Sequence, residues 1–173
     1  MLAFAHLFVG VAALTVLAAA ALQDLRERLI ANRYSLALLT LGIVHHTLAA
    51  ASWQQLLSQG GSALALAFIV FALGYALWCL GVLGGGDVKL LVATSFLVGV
   101  DGLPFLVAGT ALAGGVLALA CLAWPIIGRG RTSIRRGSHE PAMAAAVPSV
   151  PYGVAIAVGG SWAFLPTLPK LLG

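Results

Sequence analysis

The sequence predicts an all-α polytopic membrane protein, a bundle of about six transmembrane helices forming one integral-membrane domain over residues 1–173. Three observations predict it. The 173 residues are 61% hydrophobic and only 8% charged, with a mean hydropathy of +1.06, whereas a soluble domain carries roughly 25% charged residues. So few charges cannot cover a water-exposed surface. The apolar residues also fall into runs near the length that crosses a bilayer, about 20 residues of helix. Finally, the basic residues are segregated along the chain in a way that alternates with those runs.

Leu2–Leu22 is the first run. No basic residue precedes it, so it reads as a retained helix and not as a cleaved signal. Tyr34–Ala51 and Ser62–Leu83 follow. Val88–Val100 is a short fourth run, Leu103–Ile127 a fifth, and 150–165 a sixth. Six crossings put both termini on one side and divide the loops into two sets. Residues 23–33, 84–89 and 128–149 carry Arg26, Arg28, Arg33, Lys89, Arg129, Arg131, Arg135 and Arg136. Residues 52–61 and Asp101-Gly102 carry no base, and Lys170 stands alone in the tail on their side. Basic loops stay in the cytoplasm, so the termini are expected outside and the three basic loops inside. The formal charge of +4 is therefore a topology signal and not a nucleic-acid footprint. The bilayer is the expected surrounding, and nucleic acid is not an expected partner. The sequence sets no oligomeric state.

Cys79 and Cys121 are single residues in apolar runs with no C-x-x-C pair, so they read as buried hydrophobes. His45 and His46 are adjacent in the second run. Neighbours on a helix diverge by about 100°, which suits packing or an interior hydrogen bond better than a metal. No metal and no cofactor are expected.

The chemistry concentrates in two places. "GGGDVKLL" begins at Gly84 and interrupts the apolar chain with three glycines, Asp87 and Lys89. Asp24 ends the first run. Six crossings put both carboxylates at the cytoplasmic face, although 63 positions separate them in sequence. An ionisable residue at a membrane helix end is expensive when submerged and tends to be functional. Two carboxylates brought close cannot both ionise cheaply, so they share a proton. The ionised one can take a proton from water while the other polarises an amide carbonyl. Glycines without side chains let a peptide backbone come close, which makes Gly84, Gly85 and Gly86 candidate substrate-binding residues. Lys89 is a candidate substrate contact as well as a topological anchor. Asp87 stands near a helix N-terminus, where the dipole favours an anion, and Asp24 near a C-terminus, where it does not. On that basis Asp87 is the expected base and Asp24 the expected proton holder.

These stretches carry a resemblance. "GGGDVKLL" resembles the G-x-G-D-x-K motif of the type IV prepilin peptidases, a family of membrane aspartyl proteases. "DLRERLIAN", residues 24–32, is similar to that family's D-x-R-x-R-x-I-P-N stretch, with Ala31 where proline is common. "VPYGVAIAVGG", residues 150–160, resembles its P-Y-G-x-A-I-A segment. The resemblance implies that Asp24 and Asp87 are the catalytic pair. It implies a prepilin-like substrate, whose leader is cut at the cytoplasmic face of the bacterial inner membrane. Larger members carry a cysteine-bearing cytoplasmic insertion with N-methyltransferase activity. Residues 23–33 leave no room for it, so cleavage without methylation is expected, as in the small enzymes of Flp/Tad-type pilus systems. Archaeal preflagellin peptidases are similar in design. Two other readings stand beside this one. Intramembrane proteases of the presenilin type share G-x-G-D, but pair it with Tyr-Asp and Pro-Ala-Leu, whereas here Gln23 precedes Asp24. A small proton-coupled transporter would use the two acids as a relay and would need more polar groups along its spans.

Overall fold

The computed structural model describes residues 2–127 and 151–164. Among them every regular element is helical: α1 (Leu2–Glu27), α2 (Asn32–Ala49), α3 (Trp53–Cys79), α4 (Gly85–Ile127) and α5 (Tyr152–Phe164). Phe4–Glu27, Trp53–Cys79 and Gly85–Ala123 are long and apolar enough to cross a membrane. The helices bury few large side chains and present many outward. Phe4, Phe68 and Leu80 are 77%, 73% and 75% exposed, which in water would be an aggregating surface and in lipid is the ordinary one. The all-α class is thus seen directly, and three of the described helices have the length and apolar composition of membrane spans. The basic segment 128–149 and Lys170, on which the expected orientation partly depends, lie outside the described residues.

Element ends differ from the apolar runs for identifiable reasons. α1 continues past Leu22 to Glu27, so Asp24 lies in its last full turn. It stops at Arg28, which adopts φ +55° and donates its N–H to the Asp24 carbonyl at 3.0 Å, a left-handed cap more often filled by glycine. α3 begins at Trp53, nine residues before the expected start at Ser62. Ser52 caps it by accepting from Gln55 N at 3.2 Å, while Gln55 reaches back to Ala51 N at 3.0 Å. This Ser-x-x-Gln reciprocity is a helix-start signal that the apolar count passed over.

α4 contains both the fourth and the fifth run. Gly99, at φ 64° and ψ −165°, breaks it. The break is a reversal. Thr94 from the first half packs against Gly160 of α5, while Thr110 and Leu106 from the second half pack against Gly159. Residues sixteen apart therefore sit at one level of α5, as two antiparallel arms require. The core where α1, α2, α4 and α5 meet contains Ala13, Leu17, Leu38, Leu90, Leu97 and Ile156. Small residues set its closeness: an added Cβ at Gly42 would lie 2.7 Å from Phe96, and one at Gly74 2.9 Å from Val88.

Candidate active site

The turn after α1, the glycines at the start of α4 and the start of α5 converge at one end of the bundle. There Asp24, Arg28, Leu29, Ile30, Gly84, Gly85, Gly86 and Asp87 line a cavity of about 160 Å³. Both carboxylates expected as a pair face this space, near enough for the charge of one to act on the other.

Each acid is held by backbone. Asp87 Oδ2 accepts the N–H of Gly84 at 3.2 Å, so the carboxylate reaches back from the third position of its helix to the amide just before it, as in a capping box. Asp24 is buried, 6% exposed, and its Oδ2 accepts the N–H of Gly153 at 2.9 Å. That donor belongs to the first turn of α5, 129 positions away. Arg28 is the charged neighbour of Asp24, and the Val154 amide also bears on it. The helix-dipole expectation for Asp24 considered α1 alone. The C-terminus of α1 is opposed at this carboxylate by the N-terminus of α5, so the dipole of α1 does not by itself rank the two acids.

The glycines are sites of close approach. A Cβ on Gly84 would stand 2.8 Å from Asp87 Oδ2, and one on Gly86 3.2 Å from Ile30 Cβ. Gly153 is hemmed by Ile30 and Asp24 together, at 2.8 Å and 2.9 Å from an added Cβ. Ile30 is therefore the common wall between the glycine run and α5.

Lys89 is not among the described residues lining the cavity. Its ammonium donates to Asn32 Oδ1 at 3.1 Å, tying the first turn of α4 to the first residue of α2. Two of the quoted stretches are thus fastened by their last polar residues. Sequence reasoning did not single out Asn32, nor the Gly153 amide. Both lay inside stretches it had quoted, but a backbone donor and a cross-helix partner leave no mark of their own in one sequence.

The described histidines, His6, His45 and His46, lie away from this cavity. His6 of α1 is 18 residues from Asp24, about 27 Å along a helix. Its ring meets His45 edge-on at 5.7 Å, and His45 meets His46 at 5.6 Å. His46 Nε2 lies 2.8 Å from the Phe96 carbonyl, beside the Gly99 break, an interior hydrogen bond of the expected kind. No group of three or more His, Cys, Asp or Glu among the described residues is placed to hold a metal ion. Nor is a relay of hydroxyls seen among the described residues. Thr15, Thr40, Thr47, Thr94, Ser95 and Ser161 each donate to a carbonyl of their own helix. Tyr152 faces a second cavity, of about 340 Å³, which Leu83 and the small residues Ala111, Gly114 and Gly115 help to line.

No curated protein and no solved structure matches the chain. The model described as the type IV leader peptidase family matches residues 11–119, a stretch that holds Asp24, the three glycines and Asp87 and ends before α5. That match covers more than half of the sequence, and the chain belongs to the type IV leader peptidase family.

Proposed function

We propose that this protein is a membrane aspartyl endopeptidase that removes the leader of prepilin-like, Flp/Tad-type proteins without methylating the new N-terminus. Asp24 and Asp87 are its catalytic pair. Family membership supports a peptidase and a prepilin-like substrate. The observation that carries the reading further is the single small cavity faced by both acids and bounded by Gly84, Gly85 and Gly86.

The chemistry follows from one shared proton. Liquid water occupies about 30 Å³ per molecule, so the cavity admits an attacking water beside a peptide group. The ionised carboxylate takes a proton from that water as its oxygen bonds to the scissile carbonyl carbon. The protonated carboxyl gives its proton to the carbonyl oxygen, forming a diol. The first acid then passes its proton to the departing amide nitrogen and the C–N bond breaks. The second recovers a proton from the diol, and the pair returns to its starting state with one water consumed. Gly84, Gly85 and Gly86 form the wall along which the peptide backbone lies. Lys89 acts on substrate indirectly, by fixing the α1–α2 turn through Asn32.

The protein lies in the bacterial inner membrane with six crossings, the two arms of α4 counted separately. Its termini are outside and the acids at the cytoplasmic face. Arg26, Arg28, Arg33 and Lys89 support this orientation, since all four lie at the Asp24 end of their elements.

The test is co-expression with a prepilin-like substrate. The expected product lacks the leader and has a mass without an added methyl group. Asp24→Asn and Asp87→Asn should each abolish it while the protein still inserts. Ion flux lost in those variants, with no peptide product from the wild type, would instead mark a proton-coupled transporter.

A further inference from the structure

We propose that the start of α5 is a working part of the acid site, with Gly153 as a positioning residue whose backbone N–H fixes Asp24 Oδ2 and keeps Asp24 the ionised member of the pair. The inference rests on the peptidase reading and extends it beyond residues 11–119, the stretch that the family model matches.

Three observations carry it. The Gly153 N–H donates to Asp24 Oδ2 at 2.9 Å, and this bond is buried. The amide lies in the first turn of a 13-residue helix, where N–H groups have no partner within the helix and the dipole is positive. The approach also needs a residue without a side chain. A Cβ at 153 would stand 2.9 Å from Asp24 Oδ2, 3.0 Å from Asp24 Cβ and 2.8 Å from Ile30 Cδ1. The contact is thus as close as a backbone can come.

The two acids are supplied unequally. Asp87 receives one amide, that of Gly84, from its own helix start. Asp24 receives the Gly153 amide from a separate helix, with the Val154 amide and the Arg28 guanidinium nearby. Among the described residues the charged groups facing Asp24 are Arg28, from the turn after α1, and Asp87, from α4. α5 offers amides, and Lys89 of α4 is engaged with Asn32. A hydrogen bond donated to a carboxylate favours its charged form. Asp24 is therefore the base that takes the proton from water, and Asp87 the acid that donates to the carbonyl. This reverses the roles expected from the dipoles of α1 and α4 alone.

The experiment replaces Gly153 by glycolate in the full chain, which exchanges the amide for an ester and deletes the N–H without adding an atom. Cleavage of a prepilin-like substrate is followed against pH in proteoliposomes. Losing a hydrogen bond to a charged group should lower kcat about 10- to 100-fold, leave KM within about two-fold, and move the acidic limb of the rate profile to higher pH. Gly153→Ala keeps the N–H but crowds the carboxylate, and gives the same kcat-selective loss if the ester chain fails to insert. Unchanged kcat and pH profile in a folded ester variant overturn the proposal. So does a loss confined to thermal stability, which would mark Gly153 as packing alone. A wild-type protein that cleaves no prepilin-like substrate would instead sink the peptidase reading, so the two failures are distinguishable.

Discussion

Gly159→Ala should both loosen the bundle and disable the site 6 residues away on α5. A Cβ built at Gly159 would lie 2.5 Å from the Leu106 carbonyl oxygen and 2.6 Å from the Thr110 nitrogen. Both are backbone atoms inside a helix and cannot turn aside. Carbon atoms pack best at about 3.5–4.0 Å, so α5 must retreat by about 1 Å from the second arm of α4. It cannot retreat freely, because Ala155, Ile156 and Phe164 of the same helix are at most 4% exposed. Overpacking of this kind costs about 1–3 kcal/mol. The same retreat lengthens the 2.9 Å bond from Gly153 to Asp24 beyond hydrogen-bond range. Unfolding in a mixed-detergent titration should therefore show a loss of about 1–3 kcal/mol, and prepilin cleavage should fall by at least about ten-fold. Gly115→Ala is the control, since a Cβ there meets nothing within 4 Å, and should leave both readings near wild type. A Gly159→Ala protein as stable and active as Gly115→Ala would refute the packing argument.

Gly84→Ala should reduce kcat by about ten-fold or more with little change in stability, because its Cβ would stand 2.8 Å from Asp87 Oδ2 at an open position; steady-state cleavage beside a melting curve checks this. Gly81→Ala gives the opposite pattern: φ is +73° and the surroundings are empty, so backbone strain should cost about 1 kcal/mol and leave activity intact. Lys89→Met and Asn32→Ala should each lower activity, and their double variant should be no worse than either alone, since both break one hydrogen bond. Asn32→Asp should restore the clasp as an ion pair; additive losses in the double-mutant cycle would show that the residues act separately. His46→Phe should destabilise the reversal at Gly99 by about 1–3 kcal/mol through loss of the bond at the Phe96 carbonyl, with cleavage by the surviving folded protein unchanged.

The membrane class was legible because it depends on composition, and composition survives any rearrangement of order. The location of Asp24 and Asp87 was legible because each sits where an apolar run ends, a local signal. What the sequence concealed has a common physical character: it is backbone, or it is relational. The Ser52–Gln55 cap extends α3 back by more than two turns through polar residues that hydropathy reads as loop. The reversal in α4 was expected at Asp101-Gly102; that it turns at Gly99 instead was hidden, since a glycine within an apolar run gives no sign of positive φ. Lys89 was a candidate substrate contact and a topological anchor, and its hydrogen-bond partner, on α2, could not be read from its own stretch. The dipole argument over the two acids failed to see α5 for the same reason.

The bilayer explains why this site was built from helix ends. Backbone groups in hydrocarbon must be satisfied internally, and irregular backbone is tolerated only where it lines a cavity or is buried in protein. A peptidase needs free amides and approachable backbone, which the middle of a membrane helix cannot offer. The end of α1, the glycines that open α4 and the first turn of α5 supply approachable backbone together, with the Gly84 and Gly153 amides taken up by the two acids. The third end is a necessary part of that arrangement, because an acid 6% exposed with no donor would carry the full cost of burying charge. The Gly153 amide removes part of that cost at Asp24, which also lines the cavity. In this chain a helix start meets the acid that lies at a helix finish.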